Sequence, residues 1–221
     1  SVGDQRVLDL ETAIAKSQSL VKLDDNMYTT KEIMAMEQRI VDAVSGGQRQ
    51  IGPITSVEQT NHKITDYEQT HGFELTAGQK QAVAHVLTSQ DRIIAIQGDA
   101  GTGKTTMLDV VRTIAEAEKR EIVGLSFTGK AASEIEEASQ IKSRTIASLV
   151  HSKDDLKGKL VVIDEASMLS IKDMNSLLNR SDKDTKIVLI GDTKQLQTIG
   201  QGKIFSSLQE NNIISTVRMS E

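Results

Sequence analysis

The run Gly98-Asp99-Ala100-Gly101-Thr102-Gly103-Lys104-Thr105, followed by Thr106, has the pattern G-x-x-x-x-G-K-[ST]. That spacing suits a loop whose successive backbone N–H groups curl around a polyphosphate. Lys104 would bring a positive charge to the outer phosphates, the Thr105 hydroxyl suits Mg²⁺, and a helix starting near Lys104 would add its positive end. A second chemical centre is Leu160-Val161-Val162-Ile163-Asp164-Glu165, where an apolar run delivers two carboxylates. Asp164 is suited to hold Mg²⁺ through water, and Glu165 is a candidate base for the water that attacks a terminal phosphate. A third polar cluster, Gly191-Asp192-Thr193-Lys194-Gln195-Leu196, follows another apolar run, and Gln195 is a candidate sensor of the terminal phosphate. Blander readings stand beside these. Acids after a strand also solvate a loop and precede a helix capped by Ser170 with Asp173, and Asp-Thr-Lys-Gln is an ordinary turn composition.

Positioning these groups requires strands that end together. Short β-branched runs at 92–97, 122–126, 160–164 and 186–190 alternate with helical stretches at about 104–119, 130–139 and 171–179. The runs are continuously apolar rather than alternating, as expected of a parallel α/β sheet covered by helices on both faces. In such sheets ligands gather at the carboxyl ends of the strands, where all three clusters would lie.

Residues 1–71 read instead as a small, polar, helical N-terminal domain, with a boundary near residue 72. Val7, Leu10, Ile14 and Val21 fit one helical stripe. A second helix is marked by a Thr29–Glu32 capping box, a Tyr28–Ile33 staple and an apolar face of Ile33, Met36, Ile40, Val41 and Val44, ended by Gly46 and Gly47. After Pro53, the segment through Ile54, Val57, Ile64 and Tyr67 reads as helix or connector.

Composition narrows the function. With no cysteine, a disulfide framework, a zinc ribbon and a thiol nucleophile are excluded. No stretch approaches the roughly 20 apolar residues of a membrane span, and the N-terminal residues lack a secretory core, so membrane insertion is not expected and the reading is cytoplasmic. A formal charge of −5 means that any polyanion must be held by local groups. Tyr28, Tyr67, Phe73, Phe127 and Phe205 are the only aromatics, too few for a base-stacking platform.

Taken together, the clusters resemble the bacterial superfamily 1B, RecD-like DNA helicases, and within them the helicase half of TraI-like conjugative relaxases. The resemblance covers Gly72 to Glu221, about two thirds of the chain. Gly98–Thr106 matches that group's first motif, and Leu125–Ala132 looks like its motif Ia, which implies that Thr128 and Lys130 contact single-stranded DNA. Asp164-Glu165-Ala166-Ser167-Met168 looks like motif II, and Gly191–Gly202 resembles motif III with Gln197 where proline is usual. Thr76-x-x-Gln79 resembles the Q motif, whose glutamine reads adenine, although it is also a plain capping box. Arg218 resembles the motif IV arginine that touches the γ-phosphate, followed here by Met219 where Gln is common. Thr145–Leu149 and Tyr28–Glu32 are similar to strings of the relaxase branch.

The resemblance implies a P-loop NTPase with a RecA-like sheet, ATP and Mg²⁺ as ligands, and a first motor lobe at 72–221. It also implies a second RecA-like lobe of a longer chain as partner, and the coupling machinery of type IV secretion as a further one. His62, His71, His85 and His151 are scattered, without the metal site of a nicking relaxase. Two alternatives remain open at this point: a secretion-signal or single-strand-binding segment, and a P-loop ATPase unrelated to DNA.

Overall fold

The computed structural model describes residues 20–22, 28–99, 101–191 and 203–219. Its centre is a six-stranded parallel sheet: β3 (Ile93–Gly98), β4 (Ile122–Ser126), β5 (Ser143–Thr145), β6 (Leu160–Ile163), β7 (Lys186–Gly191) and β8 (Ser215–Met219), in the spatial order β5-β4-β6-β7-β3-β8. The α/β class and all four expected strands are therefore present. β5 and β8 are additions at the two edges.

Alternate residues of each strand enter two separate cores. One face carries Ile94, Ile96, Ile122, Leu160, Val162, Val188 and Ile190. Helices α2 (Val57–His71), α3 (Ala77–Thr88), α4 (Lys104–Ala117) and α5 (Gly129–Ser139) cover it. The other face carries Ile93, Ala95, Leu125, Val161, Ile163, Ile187 and Leu189. It is covered by α1 (Lys31–Gly46), α6 (Ile146–His151), α7 (Ile171–Arg180) and α8 (Lys203–Glu210).

Of the expected N-terminal helical stripe, Val7, Leu10 and Ile14 lie outside the described residues. Val21 lies in a strand, β1 (Leu20–Lys22), paired antiparallel with β2 (Tyr28–Thr30). A Val spaced a helical repeat from earlier apolar residues is equally at home in an extended pair, and Tyr-Thr-Thr favours strand. Thr29 therefore sits inside β2, and Thr30 is the N-cap of α1, accepting from the Ile33 amide at 3.1 Å. The expected Thr29–Glu32 box and Tyr28–Ile33 staple are out of register by one residue. Residues 57–71, read as helix or connector, are the helix α2.

Helices before and after residue 72 pack on the same sheet. Ile40 and Val44 of α1 belong to one core, and Ile64 and Tyr67 of α2 to the other. The Tyr67 hydroxyl donates to Asp109 of α4, and burial, then that carboxylate, push the phenol up to about 12, so it stays a donor. Asp109 also receives Arg112, which donates to the Ser139 carbonyl of α5 at 2.9 Å.

Lys186, at the start of β7, is fully buried, and its Nζ donates to the Ser89 carbonyl at 2.6 Å. Burial pushes its ammonium down to about 8, with Asp91 opposing and Arg120 adding to the fall. Below about pH 8 the folded and unfolded chains are both protonated, and the buried charge costs stability throughout. Between about pH 8 and the ordinary 10.5 the folded chain sheds the proton first, so stability rises with pH. Relative to Lys186→Met, the wild type should thus gain stability across that window, by about 3 kcal/mol in total. Urea unfolding at a series of pH values measures this, and a flat difference would mean that Lys186 is not titrating in the fold.

Candidate phosphate-binding and catalytic site

Six α-helices are closed by a hydroxyl: Thr30, Ser56, Thr76, Thr128, Thr145 and Ser170 each accept from an amide of the first turn. α4 is different. Its N-cap is Gly103, and no side chain caps it. The first amides of α4 thus remain for another acceptor, at the positive end of a helix.

The loop ahead of α4 is held by its own groups. Gly101 and Gly103 take φ values of +83° and +74°, a region that a side chain would strain. Thr102 Oγ donates to the Asp99 carbonyl at 2.9 Å, and Lys104 Nζ donates to the Gly98 carbonyl at 3.2 Å. The lysine therefore lies back over the end of β3. Thr105 is exposed and Thr106 is half-buried, while Ala100 lies outside the described residues.

Gln79 reaches this loop from α3. Its Oε1 accepts from the Thr76 amide at 2.9 Å, completing a capping box, and its Nε2 donates to the Gly103 carbonyl at 3.1 Å. The capping role is thus present, and the same side chain grips the phosphate loop, a contact that spacing alone does not announce.

Asp164 and Glu165 follow β6. The Asp164 amide continues the ladder to the Leu125 carbonyl at 3.0 Å, and Asp164 Oδ1 accepts from the Glu165 amide at 2.9 Å. Glu165 has φ +55° and ψ +37°, a left-handed conformation that costs a non-glycine residue about 1–2 kcal/mol. Burial raises its carboxyl above the ordinary range; Asp164 adds to the rise, Lys104 opposes it, and Glu134 of α5 adds further. Lys104, Asp164 and Glu165 thus share one electrostatic neighbourhood. Among the described residues no cluster of three or more His, Cys, Asp or Glu could hold a metal ion. A divalent cation would need the Thr105 hydroxyl, Asp164 and oxygens of a ligand, a set that suits a hard cation retaining water.

The other expected residues are more dispersed. Thr128 caps α5 through the Ala131 amide at 3.1 Å, and Lys130, exposed, lies 3.7 Å from Glu134. Arg218 is exposed on β8, opposite Gln97 of β3 in register. Gln195 and its surrounding motif lie outside the described residues.

The family model described as an AAA domain matches residues 74–221. This chain belongs to that family. The AAA domain chain is 32% identical over 189 residues to a probable conjugal transfer protein TraA of Sinorhizobium fredii, covering 83% of this chain and 17% of that protein. It is 32% identical over 162 residues to the multifunctional conjugation protein TraI of Escherichia coli, covering 67% and 9% respectively. With the RecBCD enzyme subunit RecD of Haemophilus influenzae it shares 28% identity over 211 residues, covering 79% and 32%. The AAA domain chain spans less than a fifth of the TraA and TraI relatives. Among solved structures, that of Bacteroides sp Pif1 in complex with ADP-AlF4 aligns with a TM-score of 0.44 at 21% identity, over 66% of this chain and 42% of that one.

A Cβ at Gly103 would lie 2.2 Å from Gln79 Nε2, in a backbone region unfavourable to side chains. Gly103→Ala should therefore break the Gln79 contact and destabilise the AAA domain by about 1–3 kcal/mol. Chemical denaturation checks this, and an unchanged midpoint would show that the loop has room to yield.

Proposed function

We propose that this AAA domain chain is the ATP-binding lobe of an ATP-dependent DNA helicase or translocase acting on single-stranded DNA, within a conjugative relaxase. The observation that carries the reading is the uncapped start of α4 beneath the glycine loop, sharing an electrostatic neighbourhood with Asp164 and Glu165. The similarity to TraA, TraI and RecD proteins supports the choice of DNA over other tracks.

In this reading the loop amides of Gly101–Thr105 and the side chain of Lys104 bind the phosphates, and Gln79 both stabilises the loop and faces the base. Thr105 and Asp164 would hold Mg²⁺, which when bound neutralises charge on the phosphates. Glu165, with its raised carboxyl pKa, accepts the proton of the attacking water. Gln195 senses the terminal phosphate, and Arg218 contributes positive charge from the neighbouring strand. Thr128 and Lys130 contact the DNA backbone at the start of α5. We assign the lobe to residues 72–221, with α1 and α2 packed on it, and a second RecA-like lobe as its working partner. Among the described residues no helix is long and apolar enough to cross a membrane. A cytoplasmic bacterial setting and an encounter with type IV secretion coupling machinery complete the proposal.

Two outcomes test it. Lys104→Ala should abolish or strongly weaken Mg-ATP binding in a fluorescent-nucleotide titration while the far-ultraviolet circular dichroism stays that of the wild type; equal affinity would remove the nucleotide site. The 221-residue chain alone should hydrolyse ATP poorly with or without a single-stranded oligonucleotide, since cationic stabilisation supplied in trans is worth about 10³–10⁵ in rate in related chemistry. Robust DNA-stimulated turnover from the isolated chain would contradict the single-lobe reading.

A further inference from the structure

The last residue of β4, Ser126, is fully buried, and its Oγ finds no hydrogen-bond partner among the described residues. Buried hydroxyls elsewhere show how such groups are satisfied. Ser139 donates to the Ile135 carbonyl one helical turn back, Thr185 donates to the Leu156 carbonyl, and Thr55 and Thr60 pair with each other. A serine in a strand has no carbonyl a turn behind it, so its partner must come from across the sheet or from above it.

The register says what lies across. On one side Ser126 pairs with Thr145 of β5; on the other, Leu125 pairs with Ile163 and its carbonyl receives the Asp164 amide, so continuing the ladder by one step sets Asp164 beside Ser126. The alternation of each strand puts both on the face of Ile122 and Val162, the face covered by α4 and α5. Asp164 uses Oδ1 to receive the Glu165 amide, and the ladder bond from its own amide to Leu125 locks the two strand ends together. A buried hydroxyl without a partner costs stability, which a purely structural serine leaves unexplained. Hard divalent cations keep several waters, whose protons need acceptors, and a serine hydroxyl offers lone pairs while donating its own proton onward.

We propose that Ser126 is a positioning residue for the cation site, its hydroxyl holding a water in the shell of a divalent cation that Asp164 also holds. The inference rests on the nucleotide-site reading above and adds a residue to it. Ser126 acts on the cation through water and touches neither the base nor the phosphates.

The test uses the 221-residue chain with Mn²⁺ as probe and ADP as co-ligand. Free Mn²⁺ is counted by electron paramagnetic resonance, ADP affinity is measured separately in EDTA, and thermal unfolding is followed without metal. Ser126→Ala should weaken Mn²⁺ retention in the presence of ADP about tenfold, as expected for loss of an outer-shell partner. Its metal-free ADP affinity should equal that of the wild type, and its metal-free melting temperature should be equal or higher, because an orphaned buried hydroxyl has been removed. Unchanged Mn²⁺ retention would overturn the inference. So would a lowered melting temperature with ADP affinity falling equally with and without metal, the mark of a structural serine. A wild type that retains no Mn²⁺ with ADP would instead overturn the nucleotide-site reading on which the inference stands.

Discussion

One helix end left open governs the candidate site. Closing the start of a helix with a side-chain hydroxyl contributes about 1 kcal/mol, and α1, α2, α3, α5, α6 and α7 all use that device. α4 forgoes it, and burial more than offsets the loss. Met107, Leu108, Val110, Val111 and Ile114 are buried along its inner face, each contributing about 1.5–3 kcal/mol. Because packing rather than capping fixes α4, its first amides can point at a ligand without the helix fraying.

The strand order sets the scale of the site. β7 lies between β3, which delivers the glycine loop, and β6, which delivers Asp164 and Glu165. At about 4.8 Å per strand, the two delivering strands are about 10 Å apart. That gap leaves room for a phosphate group and a hydrated cation between Lys104 and Asp164, whereas adjacent strands would crowd them. Glu165 then adopts its left-handed backbone to leave the strand at once, so that both carboxylates stay at the carboxyl edge.

The parts of this arrangement legible in the sequence are those governed by local rules. Continuous apolar runs mark β3, β4, β6 and β7 because strands covered on both faces admit little else. The edge strands obey no such rule: Ser143-Arg144-Thr145 is polar, and most of Ser215–Met219 is open to solvent. Thr30 rather than Thr29 caps α1 because β2 runs through Tyr28–Thr30 against Leu20–Lys22 and the helix starts only at Lys31, a pairing that the Thr29–Glu32 spacing does not announce. Lys186 is in the same position, since a lysine heading an apolar strand looks like a solvated strand end until the Ser89 carbonyl arrives from a distant loop. In the candidate site, the loop and the two acids follow from spacing, whereas the Gln79 contact and the burial of Ser126 depend on tertiary placement.

The same distinction bears on the segment before the family match, which begins at residue 74. Glu68 of α2 accepts from the Leu75 amide at 2.7 Å and pairs with Lys80 of α3 at 2.9 Å, fixing how α3 begins. α3 in turn places Gln79, whose amide is divided between the capping box and the Gly103 carbonyl. Tyr67 reaches Asp109, one turn and a half along α4 from Lys104. The junction of the phosphate loop with α4 is therefore braced by two groups tied to α2, Gln79 at Gly103 and Asp109 within the helix that follows. A Gln79 that turned fully towards a base would release both the start of α3 and the carbonyl of Gly103. Nε2 carries two N–H groups and the Gly103 carbonyl takes one, so the proposed base contact would fall to the second without that release.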